Sequence, residues 1–255
     1  VGSLPRSKGL SEILFSKDRG EKFIKEDFNN ILKKNVETIV KKQIEVGIDY
    51  ISDGEMSKIS YATYIKDRID GFSGESERRA PADLDDFPEY KEKIAKSGGT
   101  PTYSRPCCTN ALKIKDKDSL NKDLENFKNS LDKNNHQKAF MNAASPGVIN
   151  VFMPNRFYKT DDEYLHKLSE IMAIEYETIT KSNIQVQLDC PDLALARHMN
   201  FKELSEQEFL KRAEIQIECL NEALTNVDVN MTRMHICWGN YEGPHTHDIL
   251  SLIHI

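Results

Sequence analysis

Three stretches of the chain place an apolar residue at every third or fourth position, which is the spacing of one face of an α-helix. The first covers residues 27–46 and is followed by Gly47, a residue that suits the left-handed conformation closing many helices. The other two begin at Thr160 and Ser205, each followed three residues later by a glutamate, as in a helix-starting capping box. The pattern therefore predicts three amphipathic helices.

Short apolar runs, which are typical of buried strands, lie beside these helices. The predicted strands are 48–53, 139–144, 184–190 and 231–237. Helices that alternate with strands are typical of a parallel sheet with helical crossovers. The last two strands divide their residues between an apolar and a polar face. A polar face inside the protein favours a (β/α)8 barrel of the TIM type over a doubly covered open sheet.

The length of 255 residues suits one large domain, and we interpret residues 1–255 as a single, incomplete barrel domain. Residues 74–104 are charged and rich in glycine and proline, so they predict a long surface excursion. Such length is unusual for a plain connection and indicates a functional loop.

Composition narrows the function. A formal charge of −6 and a pI of about 5.7 argue against a nucleic-acid partner, because phosphate binding needs a basic face. No apolar run is long enough to predict a membrane span. The number of cysteines is odd, without the spacing of a disulfide framework, which predicts a reducing cytoplasm. These cysteines are Cys107, Cys108, Cys190, Cys219 and Cys237.

His235 and Cys237 form the sharpest local feature of the sequence. Residues two apart on a strand project to the same side, so an imidazole and a thiol can converge on one cation. Mixed nitrogen and sulfur ligands suit zinc. His245 and His247 either complete such a site or belong to a loop beside Pro244, and the loop is the favoured interpretation.

Acidic residues also gather at the predicted strand ends. Glu55, after Asp53 and the turn-permitting Gly54, can present a carboxylate to an amino group or simply end a strand. Asp189 ends a strand of divided polarity, so it must be solvated or paired. Residues 2–6 either hold a carboxylate with backbone N–H groups or form a frayed terminus.

Five short segments of the sequence occur in an order found in one enzyme family. They are Val1–Arg6, Ser52–Glu55, Ala144–Gly147, Gln187–Asp192 and Met234–Asn240. Together they resemble the catalytic barrel of cobalamin-independent methionine synthase, in particular its short single-domain relatives. The resemblance covers residues 1 to about 248 and implies a (β/α)8 barrel.

The resemblance implies a zinc-dependent methyltransferase that converts homocysteine into methionine. By position, His235 and Cys237 match zinc ligands. Gly2 and Ser3 match the segment that holds the substrate carboxylate. Glu55 and Asp189 match the acidic residues that grip the amino group and orient the thiol. The implied methyl donor is a methylated folate or a methylcobalamin-bearing protein.

One departure from the family concerns the other two zinc ligands, a glutamate and a cysteine on later strands. No cysteine follows Cys237 and no glutamate follows Glu242, so we expect a chain truncated at both ends, with a non-native tail at 250–255. Three alternatives stay open. They are transfer to another thiol such as coenzyme M, a non-catalytic metal-binding fragment, and a metal-free barrel like the porphyrinogen decarboxylases.

Overall fold

A parallel sheet of four strands is the centre of the fold in the computed structural model, which describes residues 2–77, 80–96, 103–239 and 243–247. The strands are β1 (Ile51–Ser52), β2 (Ile69–Ser73), β3 (Cys107–Ile114), β4 (Ala139–Ala144), β5 (Gln185–Asp189) and β6 (Thr232–His235). The helices are α1 (Lys8–Asp18), α2 (Lys25–Glu45), α3 (Pro88–Lys96), α4 (Asp118–Lys133), α5 (Pro146–Phe152), α6 (Asp161–Lys181) and α7 (Glu206–Ala223).

The central sheet has the strand order β1, β4, β5, β6, and every neighbouring pair is parallel. This confirms the predicted α/β fold with a parallel sheet. Strand β4 coincides with the predicted strand 139–144, and the other three lie inside their predicted ranges. The described strands form an open sheet, so a closed barrel is not seen in this part of the chain.

The two faces of the sheet differ as the polarity pattern predicts. Met141, Val186 and Leu188 are buried in the main apolar core. The helices that precede these strands pack side by side in the same order as the strands, namely α2, α4, α6 and α7. On the other face, Asn142 is paired in register with Gln187, and both are buried polar residues.

Local sequence explains where the long helices begin and end. Gly47, with φ of 80°, follows α2 in the left-handed conformation expected of a helix-closing glycine. Ser205 and Glu208 form a complete capping box at α7. At α6 only half of the box forms. Thr160 accepts the hydrogen bond from Glu163 N, while the Glu163 carboxylate binds Lys159 N instead.

The excursion contains more structure than its composition predicts. Antiparallel strands β2 and β3 flank it, with a bulge between Asp70 and Phe72, and α3 lies within it. Gly71 at the bulge has φ of 111°, and an added Cβ would lie 2.8 Å from Asn110 O. Cys108 N donates to Pro154 O at 2.9 Å, which attaches β3 to the segment after α5.

Two expectations from the sequence concern the tail of the chain and the absence of a predicted membrane span. The tail at 250–255 lies outside the described residues. Among the helices that are described, none has both the length and the apolar composition that a membrane crossing requires.

Candidate functional site

The reactive residues predicted from the sequence lie at one edge of the central sheet. Parallel strands bring their carboxyl ends to the same edge, which is where sites form in such folds. The register pairs Ala144 with Asp189 and Asp189 with His235, while Asp53 directly follows β1. Residues from separate strands are thereby placed side by side.

The turn after β1 directs a carboxylate into the protein. Gly54 and Glu55 adopt left-handed φ angles of 68° and 55°, and Asp53 Oδ1 accepts a hydrogen bond from Glu55 N at 3.1 Å. At Gly54 an added Cβ would lie 3.2 Å from Leu4 Cβ, so the left-handed φ and this close contact together favour glycine there. A non-glycine residue such as Glu55 costs on the order of 1 kcal/mol in this conformation, a strain that clusters at functional sites. The Glu55 residue is only 2% exposed.

A continuous series of hydrogen bonds joins the predicted site residues. Ser3 Oγ donates to Glu55 Oε2 at 3.1 Å. Asn142 Nδ2 donates to Glu55 Oε1 at 2.8 Å and to Asp189 Oδ2 at 3.1 Å. His235 Nδ1 lies 3.3 Å from the other Asp189 oxygen, Oδ1. The structure therefore brings Ser3, Glu55, Asp189 and His235 together, and Asn142 is the link that sequence reasoning missed.

The segment before α1 lies against the turn after β1. Leu4 N donates to Gly54 O at 3.1 Å. The Arg6 guanidinium donates to the carbonyl oxygens of Glu55 and Lys58 at 2.8 and 2.7 Å. Gly2 has a left-handed φ of 87°, directly before Ser3. Residues 2–6 are thus ordered against the site rather than frayed from it.

Two buried carboxylates share this site with limited compensating charge. Burial raises the pKa of the Glu55 carboxyl, and the charge of Asp189 adds to that effect. Lys58 acts in the opposite direction, although its ammonium group is occupied by a hydrogen bond to Asn142 O. A cationic group that entered between Glu55 and Asp189 would therefore be bound favourably.

His235 and Cys237 offer ligands of the type that zinc prefers. Hydrogen bonds with Asp189 and with Cys237 raise the pKa of His235 to about 10. Cys237 is half-buried, whereas the other four cysteines are buried. With His235 Nδ1–H held by the Asp189 carboxylate, Nε2 is the nitrogen left for a metal, an arrangement common around zinc-binding histidines. The pair fits a zinc ion, to which it would supply two of the usual four ligands.

The second pair of candidate histidines lies against the excursion. His247 Nε2 is 2.6 Å from Asp86 Oδ2, and His247 N donates to Asp83 Oδ1 at 2.6 Å. Asp83 Oδ2 also lies 2.7 Å from His198 Nδ1, and both side chains are fully buried. The His245 ring lies 6.2 Å from the His198 ring. These contacts attach residues 243–247 to the excursion, which favours the loop interpretation of His245 and His247.

An arginine and three aromatic rings form a wall that the sequence did not reveal. The Arg105 guanidinium carbon lies 4.6 Å from the Phe152 ring centre and 5.5 Å from that of Tyr103. Tyr61 packs edge-on against Phe152 at 5.4 Å. Burial raises the pKa of Tyr61, and the charges of Tyr103 and Cys237 add to this effect, which indicates that Tyr61 is near the predicted site. Among the described residues, Arg105 Nε is buried and has no hydrogen-bond acceptor.

Another buried carboxylate, that of Asp192, lies next to the site but outside the series. Ser145 Oγ donates to Asp192 Oδ1 at 2.7 Å. Burial raises the pKa of Asp192 to about 7. Gly147 leaves room for this acid, since an added Cβ would lie 2.0 Å from Asp192 Oδ2.

The fold and the site together define a class of protein. It is an α/β protein with a parallel sheet, in which paired carboxylates, a histidine and a cysteine occupy the carboxyl edge. No model of a known protein family matches the chain.

Curated relatives make the comparison more specific. Over 242 residues, which is 94% of the chain, it is 26% identical to the methionine synthase of Sulfolobus acidocaldarius and 23% identical to that of Saccharolobus solfataricus. A B12-independent methionine synthase from Shewanella sp. W3-18-1, solved in complex with selenomethionine, has a similar fold. Its TM-score is 0.64 at 16% identity, and the match covers 93% of this chain and 60% of that one.

These comparisons confirm the resemblance predicted from the five short segments. The chain is similar to methionine synthases over most of its own length. It spans about three fifths of the length of the curated relatives it matches.

Proposed function

We propose that this chain carries the catalytic site of a zinc-dependent S-methyltransferase that transfers a methyl group onto the thiol of homocysteine to form methionine. The observation that carries the proposal is the hydrogen-bonded series from Ser3 through Glu55, Asn142 and Asp189 to His235. The series connects groups suited to an amino acid with groups suited to a metal. The similarity to methionine synthases supports the same function.

The two carboxylates of Glu55 and Asp189 are proposed to bind the substrate's ammonium group. Both are nearly buried, and Asn142 holds them at a fixed separation by donating one hydrogen bond to each. The backbone of Gly2 and Ser3 would receive the substrate carboxylate. Binding at both ends of the amino acid fixes the direction of its thiol, which is catalysis by orientation.

His235 and Cys237 are proposed to hold the zinc ion, with Asp189 orienting the imidazole. Zinc bound there would deprotonate the substrate thiol while leaving its sulfur nucleophilic. The role of Asp189 is then double, because one oxygen faces His235 and the other faces Asn142. The substrate sulfur attacks the methyl carbon, a sulfur–carbon bond forms, and the donor leaves with the electron pair of the bond that breaks.

The wall of Arg105, Tyr103, Phe152 and Tyr61 is proposed to receive the methyl donor. Flat rings and an arginine suit a donor that is itself flat and carries carboxylates. A methylated folate has both features, so it is the favoured donor. A methylcobalamin-bearing protein is the alternative, and it would not depend on a charge at Arg105.

The proposal extends to architecture and setting. We propose that the four strands of the central sheet belong to a (β/α)8 barrel, because the accompanying helices lie in one succession while the opposite face is polar. The domain would be single, with residues 74–104 as its excursion. All five cysteines are free, which supports a reducing cytoplasm.

Homocysteine and coenzyme M, the alternative acceptor, differ in the charged groups that they present to the site. Coenzyme M has a sulfonate but no amino group, so it would leave Glu55 and Asp189 without a cation. The observed pair of carboxylates therefore favours an amino-acid thiol. A porphyrinogen-decarboxylase-like reaction would need neither zinc nor a thiol substrate.

The decisive experiment measures methyl transfer to homocysteine from a methylated folate and from methylcobalamin, together with zinc content. His235→Ala and Cys237→Ser are expected to abolish transfer and to lower zinc. His136→Ala is the matched control, since that half-buried histidine lies away from the site and its ring bonds to the carbonyl oxygens of Asp49 and Lys138.

The alternatives give different results in this experiment. Unchanged transfer in both site variants would contradict the assignment. Zinc and homocysteine binding without transfer from either donor would indicate a non-catalytic metal-binding protein. Activity that survives removal of zinc would favour a metal-free barrel.

A further inference from the structure

A second group of metal-ligating side chains lies between α6 and α7, outside the candidate active site. Among the described residues, His166, Cys219 and Glu222 are the one group of three or more His, Cys, Asp or Glu whose ligand atoms all lie within 4.8 Å of one another. His166 Nδ1 is 2.8 Å from Glu222 Oε2 and 3.8 Å from Cys219 Sγ.

The helices present these three side chains to one point. Cys219 and Glu222 are three residues apart on α7 and therefore share a face. His166 lies early in α6, which packs directly against α7. Ligands bound to one metal ion at tetrahedral angles are about 3.5 Å apart. The observed separations lie on both sides of that value, so small side-chain rotations suffice to bring the three atoms into position.

The surroundings of Cys219 differ from those of an ordinary core cysteine. The residue is completely buried, yet its sulfur reaches the half-exposed His166 imidazole. Burial raises the pKa of the Cys219 thiol, and the Glu222 charge adds to this, while the Ser169 hydroxyl acts against it. Unlike a thiol with only apolar neighbours, this one has two further ligands beside it and a hydroxyl that can support the thiolate.

We propose that His166, Cys219 and Glu222 form a structural site for a divalent transition metal, of which zinc is the best match, that clamps α6 to α7. One thiolate and one carboxylate balance the charge of a divalent ion. A neutral imidazole is the third ligand, and solvent completes the tetrahedron because His166 and Glu222 are about half exposed. The ion binds by replacing the thiol proton, which passes to solvent. This site does not depend on the proposed function of the sheet edge.

The test titrates Zn²⁺ and Co²⁺ into a chain carrying His235→Ala and Cys237→Ser, which removes the two zinc ligands proposed at the sheet edge. We expect binding of one ion, a thiolate-to-cobalt charge-transfer absorption, and a zinc-dependent rise in melting temperature. Adding Cys219→Ser should abolish the absorption. Adding His166→Ala or Glu222→Gln should weaken binding at least about tenfold, the lower bound set by losses at residues that merely support ligands.

Matched controls make the outcome decisive. Glu218→Gln alters an exposed glutamate one turn away on α7 and should leave affinity unchanged. His166→Ala and Glu222→Gln change half-exposed side chains, so they test the site even if Cys219→Ser weakens the fold. The proposal is overturned if the double variant binds no ion, or if binding persists when Cys219 and His166 are both replaced. The proposed function of the sheet edge is tested separately, by measuring methyl transfer in a chain that keeps His235 and Cys237.

Discussion

The protein shifts the pKa values of two buried glutamates, Glu175 and Glu55, in opposite directions. Glu175 belongs to an ion cluster, formed by Arg68, Asp123 and Glu175, in which Arg68 binds the two acids at 2.7 and 2.8 Å. Burial alone would raise the pKa of Glu175, but Arg68, Lys58 and the Tyr64 hydroxyl together outweigh burial and lower it. At the sheet edge, burial is the larger effect and the pKa of Glu55 is raised.

The difference lies in how completely each carboxylate is compensated. Glu175 also accepts the Tyr64 hydroxyl, so its lone pairs and its charge are both satisfied within the protein. Asp123 receives less, and burial raises its pKa although Arg68 and Ser57 both contact it. A compensated group stabilises a fold, whereas an under-compensated one favours a ligand of opposite charge. The comparison therefore assigns stability to the pair of Arg68 and Glu175 and binding to Glu55.

The largest expected effect comes from breaking the ion cluster. Arg68→Met removes the cation that two buried acids share, so we expect a loss of about 3–5 kcal/mol in the free energy of unfolding. Urea unfolding followed by circular dichroism measures it. Lys115→Met, which breaks a half-exposed ion pair with Asp70, is the control and should cost less than about 1 kcal/mol. Equal losses in the two variants would contradict the structural role of the cluster.

Asp192 tests whether an under-compensated acid alone is enough to bind ligand. Its pKa of about 7 exceeds the usual 3.8, so between these pH values the native state binds more protons than the unfolded state. The free energy of unfolding should therefore fall as pH rises from 4 to 7, by at most about 4 kcal/mol from this group.

The matching variant is Asp192→Asn, which keeps an oxygen to accept the Ser145 hydrogen bond. Its stability should lose this pH dependence, with homocysteine affinity unchanged. Melting temperatures measured from pH 4 to 8 provide the check, and the exposed Asp132→Asn is the control. A profile that stays parallel to that of the unaltered chain would show that Asp192 does not titrate in this range.

Glu55 should behave differently from Asp192. Glu55→Gln removes a carboxylate that the protein itself compensates poorly, so stability at neutral pH should stay level or rise. Homocysteine binding should weaken by about ten- to a hundredfold, because hydrogen bonds to charged groups contribute about 1.5–3 kcal/mol. Calorimetric titration measures the affinity, and urea unfolding the stability. A variant that loses stability and keeps affinity would place Glu55 with the ion cluster instead.

Asp189→Asn sharpens the same comparison within the site. It should weaken homocysteine binding more than zinc binding, because the amide still accepts the His235 hydrogen bond but no longer attracts an ammonium group. Elemental analysis gives the zinc content and calorimetry the affinity for homocysteine. Unchanged substrate affinity would remove Asp189 from the binding site.

The sequence predicts those site residues that lie at the carboxyl ends of predicted strands. Asp53, Glu55, Asp189 and His235 end or follow short strands, and parallel pairing brings such positions to one edge. Asn142 could not be singled out, because one amide within an apolar strand gives no sign of the carboxylates it will contact. The one sign in the sequence is that Asn142 is a polar residue within the otherwise apolar stretch 139–144.

Other features depend on contacts that a single sequence does not encode locally. Arg68 and Glu175 are 107 residues apart and meet only after folding. Strands β2 and β3 escape prediction because the bulge at Gly71 interrupts the alternation of side chains. Arg105 follows a stretch rich in glycine and proline, whose composition predicts a surface loop although the Arg105 side chain packs on Phe152.

The smallest expected effect concerns Ser3, the first member of the hydrogen-bonded series. Ser3 Oγ donates to Glu55 Oε2 at 3.1 Å in a partly buried contact, so Ser3→Ala removes one hydrogen bond to a carboxylate that Asn142 still holds. We expect homocysteine affinity to fall about three- to tenfold, corresponding to about 0.5–1.5 kcal/mol, with no change in unfolding. Ser3→Thr keeps the hydroxyl and should restore the affinity. If threonine fails to rescue a defect caused by alanine, the hydroxyl does not act through its hydrogen bond to Glu55, which would contradict a role of Ser3 in positioning that carboxylate.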